Sequence, residues 1–123
     1  MARNALIVDD SGVMRKIVMR NLRNTQVHFD HIFEAGDGIE GLKVLEGNEV
    51  AVIFSDVNMP NMGGLEMVKQ IKAQYGTDKI KIIMVTTDGA EETIKEAMDN
   101  GASGYIKKPF TPEQMVKYLQ DLL

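Results

Sequence analysis

The sequence predicts an α/β domain, a parallel sheet wrapped by helices, and three observations predict it. Apolar runs of strand length alternate with segments of helical period along the 123-residue chain, which is the pattern of successive βα units. Two of the runs, "AVIFS" (51–55) and "IKIIMVT" (80–86), are almost wholly apolar, as strands covered on both faces require. The third observation is positional: polar side chains of the kind that do chemistry stand where the apolar runs stop.

The strands are expected at "NALIV" (4–8), "FDHIFEA" (29–35), "AVIFS" (51–55), "IKIIMVT" (80–86) and "SGYIK" (103–107). After each comes one apolar helix face. Met14, Ile17, Val18 and Leu22 form the first, and Ile39, Leu42 and Leu45 the second. Leu65, Val68, Ile71 and Tyr75 form the third, Ile94, Ala97 and Met98 the fourth, and Met115, Leu119 and Leu122 the last. The last helix has an explicit start: Thr111 as N-cap, Pro112 in the first turn and Gln114 placed to close a capping box. "GDG" (36–38), "NMGG" (61–64) and "NGASG" (100–104) punctuate the turns. No repeat, low-complexity tract or linker interrupts this order, so residues 1–123 are expected to form one domain.

Composition narrows the functions available. A net charge of -4 offers no basic footprint for nucleic acid, and no apolar run reaches the ~18 residues of a membrane span. With no cysteine there is no thiolate metal site, disulfide or cysteine nucleophile. Acids interrupt "MARNALIVDDSG" too early for a secretory leader. A cytoplasmic protein, monomeric and without a nucleic-acid or membrane partner, is the expectation.

In open parallel sheets ligands bind beyond the carboxyl ends of the strands, where loops gather near a reversal of winding, a rule drawn in part from folds of this very kind. The first strand ends on Asp9 and Asp10, the third on Asp56, the fourth on Thr86 and the fifth on Lys108. The second ends in "EAGDG", whose Asp37 reads as a helix N-cap. Three carboxylates brought together raise one another's pKa, and a divalent cation relieves the repulsion. All-oxygen ligands point to Mg²⁺ rather than Zn²⁺, and Mg²⁺ beside a carboxylate points to phosphate chemistry. Asp56 would attack phosphorus and become an aspartyl phosphate. Lys108 and the Thr86 hydroxyl would take charge on the phosphoryl oxygens.

Taken singly, each of these residues has a plainer role. Asp9 and Asp10 suit the cap of the first helix, Thr86 a strand, Lys108 solvent and Tyr105 a half-buried sheet position. It is their joint spacing that favours chemistry. Met59, Met62, Met67 and Met84 read as packing, His28 and His31 as surface residues, and "EETIKE" (91–96) as a solvated helix face.

"VDDS" (8–11), "SDVNMPNMGGLEMV" (55–68), "MVTTDG" (84–89) and "NGASGYIKKPFTPEQM" (100–115), in this order, resemble the receiver domains of two-component response regulators, and among them the CheY-like single-domain chemotaxis type. The resemblance spans essentially the whole chain. It implies a flavodoxin-like, doubly wound (βα)₅ fold with strand order 2-1-3-4-5, and phosphorylation of Asp56 by a histidine kinase or a small phosphodonor. It implies Mg²⁺ held by Asp10, Asp56 and the Asn58 carbonyl, with Asp9 acting through water. Thr86 and Lys108 would bind the phosphoryl group, and Tyr105 would turn inward as Thr86 moves, altering the face built by the fourth helix, fifth strand and fifth helix. The Lys108–Pro109 bond would be cis. Asn58 and Asp88 stand at the positions that tune the lifetime of the mark, and with the small Thr87 beside Asp88 a short-lived phosphoform is expected.

A chemotaxis kinase and a downstream protein target, the flagellar motor switch among the candidates, are the implied partners. Glu91 and Glu92 on the fourth helix disfavour a strongly acidic target at that end, while Lys95, Lys107 and Lys117 present positive charge nearby, which leaves the motor assignment open. A phosphorelay intermediate is the alternative within the family. A haloacid-dehalogenase-like phosphatase would want a second acid where Asn58 stands, and a flavodoxin-like cofactor binder would meet Asp9 and Asp10 where its phosphate should approach.

Overall fold

The computed structural model describes residues 3–76, 79–87 and 90–120. Five strands, β1 (Asn4–Val8), β2 (His31–Ala35), β3 (Val52–Ser55), β4 (Lys81–Thr86) and β5 (Gly104–Lys107), alternate with five helices, α1 (Gly12–Arg23), α2 (Gly38–Gly47), α3 (Gly64–Tyr75), α4 (Glu91–Asn100) and α5 (Pro112–Leu119). The sheet is parallel throughout and ordered β2-β1-β3-β4-β5, the implied doubly wound arrangement. Each strand was anticipated to within two residues. The largest difference is at β2, expected from Phe29 but starting at His31; Asp30 before it is tied to Arg3 by its N–H donating to the Arg3 carbonyl at 2.7 Å and its carboxylate accepting the Arg3 N–H at 2.8 Å.

Alternation along the strands divides the core in two. Leu6, Val8, Ile53, Ile82 and Met84 meet Leu45, Met67, Val68, Ile71 and Ala97 of α2, α3 and α4. On the opposite face Ala5, Ile7, Phe54, Ile83, Val85 and Ile106 meet Val18, Leu22, Met115 and Leu119 of α1 and α5. Each of the larger side chains contributes about 1.5–3 kcal/mol when buried. β1, β3 and β4 are buried along nearly their whole length, as their unbroken apolar runs predict.

The helix faces follow the expected stripes with exceptions. Ile17, Ile39 and Met98 stand 39%, 41% and 44% exposed. In α2 Leu45 is buried and Leu42 packs against the core as expected, but Gly38 and Gly41 take the place of Ile39 on the inward face, because α2 packs so close that a Cβ on Gly41 would lie 2.9 Å from the Met67 sulfur. Leu122 lies outside the described residues. At α5 the Thr111 N–H donates to Gln114 Oε1 at 2.8 Å, and Asp37 caps α2 by accepting the Glu40 N–H at 2.9 Å. His28 and His31 are exposed, as are most residues of 91–96, and Met67 and Met84 are core residues. Among the described residues no helix is long and apolar enough to cross a membrane.

Candidate functional site

Register brings the acids together. Val8 of β1 lies opposite Ser55 of β3, and the ladder runs one bond further, from the Asp56 N–H to the Val8 carbonyl at 2.9 Å. Asp9 and Asp56 are therefore the next residues on adjacent strands, about 4.8 Å apart in the sheet. Asp10 follows Asp9 in the turn that Ser11 closes as N-cap of α1, its side chain accepting the Met14 N–H at 3.2 Å. The cap is thus Ser11, and Asp10 is left at the surface. Carboxylate oxygens of Asp9, Asp10 and Asp56 all lie within 4.8 Å of one another.

Lys108 enters from the far side. Its backbone N–H donates to the Thr86 carbonyl at 2.9 Å, and its ammonium lies 3.2 Å from Asp9 Oδ2 and 3.5 Å from Asp56 Oδ2. The Lys108–Pro109 peptide is cis. Thr86, almost fully buried, closes β4 beside Lys107 in the ladder.

The two oxygens of Asp56 differ. Oδ1 accepts the Val57 N–H at 2.7 Å, which leaves Oδ2 as the oxygen facing Lys108. Burial is the strongest influence on this carboxyl and raises its pKa above the ordinary 3.8. The Lys108 charge and the Val57 N–H pull it back, and the charge of Asp9 pushes it up again. Burial and the Asp9 charge thus disfavour the charged form of Asp56, and a cation beside it favours that form. Oxygen-only donors at this spacing, carried by two strand ends and a turn, suit a hard divalent ion; the chemistry of the donor set fits one.

Asn58 is exposed in the loop between β3 and α3. Tyr105 is 41% exposed on β5, with its carbonyl accepting the Tyr118 hydroxyl at 3.1 Å. Asp88 lies outside the described residues. Arg15 and Glu34, which nothing local in the sequence singles out, also bear on the site. Arg15 donates from Nη1 to the Asp9 carbonyl at 2.6 Å and from Nε to Glu34 at 3.0 Å, bracing the acidic turn against β2. An Arg in the first turns of a helix that starts beside two acids was the available signal, but it looks the same as any surface Arg until β2 is placed.

The sequence of residues 5–120 matches the family described as "Response regulator receiver domain". The chain is a response regulator receiver domain. The receiver domain is 42% identical over 119 residues to the chemotaxis protein CheY homolog of Campylobacter jejuni, covering 96% of this chain and 90% of that one. It is 37% identical to chemotaxis protein CheY1 of Helicobacter pylori, with coverages of 96% and 94%. Among solved structures it matches chemotaxis protein CheY4 of Vibrio cholerae with a TM-score of 0.84 at 36% identity, covering both chains fully. Belonging to this family makes the receiver a two-component signalling protein, and phosphorylation is the control that the family implies.

Proposed function

We propose that residues 1–123 form one receiver domain that works as a phosphorylation-controlled binding module of a chemotaxis system. The observation that carries this reading is the convergence of Asp9, Asp10 and Asp56 within 4.8 Å, with Lys108 straddling two of them.

Asp56 Oδ2 is the nucleophile. It attacks the phosphorus of a kinase phosphohistidine; the P–N bond breaks, a P–O bond forms on Asp56, and the imidazole leaves with its electron pair and takes a proton. Asp10, Asp56 and the Asn58 carbonyl would hold Mg²⁺, with Asp9 acting through water. When bound, the ion neutralises charge on one phosphoryl oxygen. Lys108 stabilises a second oxygen and the Thr86 hydroxyl a third, so the chain supplies positioning and charge stabilisation rather than further covalent chemistry. The same site later admits water, and Asn58 and Asp88, both short and polar, tune how fast the mark is lost.

Thr86 moving toward the phosphoryl group leaves room for Tyr105 to turn inward. The two packings need differ by only a few kcal/mol for phosphorylation to shift the population. The surface that changes is built from α4, β5 and α5, and its target is a protein, with the flagellar motor switch as the candidate. The names of the Campylobacter and Helicobacter relatives support the chemotaxis assignment. A cytoplasmic monomer fed by a histidine kinase of the chemotaxis type fits this role.

Incubation with acetyl phosphate and Mg²⁺, followed by mass spectrometry, tests the chemistry: one hydroxylamine-labile phosphoryl group on Asp56 is expected. Steady turnover of varied phosphate esters would favour a phosphatase instead. Affinity capture with and without beryllofluoride tests the output, and a motor-switch protein retained only with beryllofluoride is the expected result.

A further inference from the structure

Three contacts tie the loop after β2 to the loop after β3. Asn61 Nδ2 donates to Asp37 Oδ2 at 2.8 Å. The Gly38 N–H donates to the Met62 carbonyl at 2.9 Å. Gly38 also packs so tightly on Met62 that an added Cβ would stand 2.7 Å from its Cγ and 2.9 Å from its carbonyl oxygen. Asn61 itself sits in the left-handed region with φ 64°, which asparagine tolerates better than most residues.

Capping α2 needs only one oxygen of Asp37, and Oδ1 does it. Oδ2 is spent on a residue 24 positions away, although Asp37 is only 6% exposed. The segment that receives this bond is the one following the phosphoacceptor. It is held at its start, where the Val57 carbonyl accepts the Gly64 N–H at 2.9 Å, and at its end, where Asn61 and Met62 meet Asp37 and Gly38. Asn58 lies between the two fixed points, in a stretch tightened by the Met62 N–H donating to the Pro60 carbonyl at 2.6 Å.

We infer that Asp37 and Asn61 form a latch that positions the loop between β3 and α3, so that the Asn58 carbonyl is presented beside Asp56 to the metal ion. Asp37 is a positioning residue, since it acts through Asn61 and touches neither ligand. The inference rests on the reading of the acidic cluster as a metal centre.

Two substitutions remove the latch from its two sides. Asn61→Gly deletes the amide and keeps the left-handed backbone accessible. Asp37→Ser keeps an oxygen to cap α2 but is too short to reach Asn61. Mg²⁺ and Mn²⁺ affinities are measured by calorimetry, and backbone hydrogen exchange is followed on the metal-free protein. Each variant is expected to weaken metal binding about 10-fold, the usual lower range for losing a partner that orients a metal ligand. The double variant should lose no more than either single one. Phosphorylation at saturating Mg²⁺ should stay near the parent rate while the Mg²⁺ concentration giving half that rate rises.

Asp37→Asn should recover most of the affinity. Its oxygen still caps α2, and the Asn61 amide can turn over to accept from the amide nitrogen introduced there. In Asn61→Gly, exchange should quicken at residues 58–62 and stay unchanged in α2. Unchanged metal affinity and unchanged loop exchange in Asn61→Gly would overturn the latch, as would equal loss in Asp37→Ser and Asp37→Asn. If the parent protein binds neither metal, the metal-centre reading fails by itself. The latch is then judged by hydrogen exchange alone, faster exchange at 58–62 supporting it and unchanged exchange overturning it.

Discussion

The loops that follow β2 and β3 lie side by side at one end of the sheet, and each contains a largely buried aspartate, yet the two carboxyls are in opposite electrostatic conditions. Asp37 has a donor for each oxygen, the Asn61 amide and the Glu40 N–H, and these hold its pKa below the ordinary range. Asp56 has one oxygen satisfied by Val57 and the other set among acids beside Lys108, and burial raises its pKa. A carboxylate held by two neutral donors makes structure; one set among acids, with only the Lys108 charge facing its second oxygen, retains reactivity. The difference shows how two similar strand–Asp–loop segments come to different uses.

The strongest way to break the comparison is to exchange the chemistry. Asp56→Asn keeps an oxygen for the Val57 N–H but removes the nucleophile, so phosphoryl uptake from acetyl phosphate should vanish in intact-mass measurements. Asp37→Asn should still take up the group. If Asp56→Asn were labelled at the parent rate on another residue, the assignment of reactivity to Asp56 would be wrong. Next in size is Lys108→Met, which removes the cation 3.5 Å from Asp56. Loss of a preorganised charge at a reacting oxygen typically costs about 100-fold in rate, and a stopped-flow or quenched assay with a small phosphodonor should show a decrease of that order.

A smaller effect separates the loops by packing. At Gly64 a Cβ would run into the backbone carbonyl of Asp56 and lie 2.8 Å from the Met84 methyl. Gly64→Ala should therefore cost about 1–3 kcal/mol, the usual range for overpacking, and should slow phosphoryl uptake because it is the Asp56 backbone that has to move. Gly38→Ala pushes on Met62 instead and should leave the rate at saturating Mg²⁺ nearer to the parent. Urea denaturation should report lower midpoints with unchanged m. Equal rates in the two variants would mean that the packing over Asp56 does not matter to its reactivity.

The reactive loop was more legible in sequence than the structural one, for a physical reason. Asp9, Asp10, Asp56 and Lys108 are read directly because a parallel sheet delivers strand ends to one place, so a position relative to a strand is already a position in space. Asp37 as a cap was also readable, since Glu40 is three residues away. Asn61 and the Arg15–Glu34 pair were not, because their partners lie 24 and 19 positions distant and nothing local distinguishes them from solvated side chains. The helix faces failed for a related reason. Ile39 was expected inside α2, but the near approach of Met67 and Val8 to Gly41 turns the glycine side inward, and periodicity counts hydrophobicity without sensing how close a neighbour will pack.

The subtlest separation is by pH, in metal-free protein. Asp56 has a folded pKa above its unfolded value near 3.8, so its ionisation opposes folding: the penalty is absent below the unfolded pKa, grows as pH rises and is complete above the folded pKa. Asp56→Asn removes the charge, so its gain in stability over the parent should appear on raising pH through that window and persist at neutrality. Asp37 runs the other way. Its folded pKa is lowered, chiefly by the Asn61 amide, so its contribution is present above the unfolded pKa and is lost as pH falls through the folded value. The deficit of Asp37→Asn against the parent should therefore be seen at neutral pH and close in acid. Denaturation of the three proteins across the acid range should give two difference curves of opposite sign, both converging at low pH. If the Asp56→Asn curve instead fell below the parent at neutrality, the Lys108 and Val57 contacts would outweigh burial, and Asp56 would be as satisfied as Asp37.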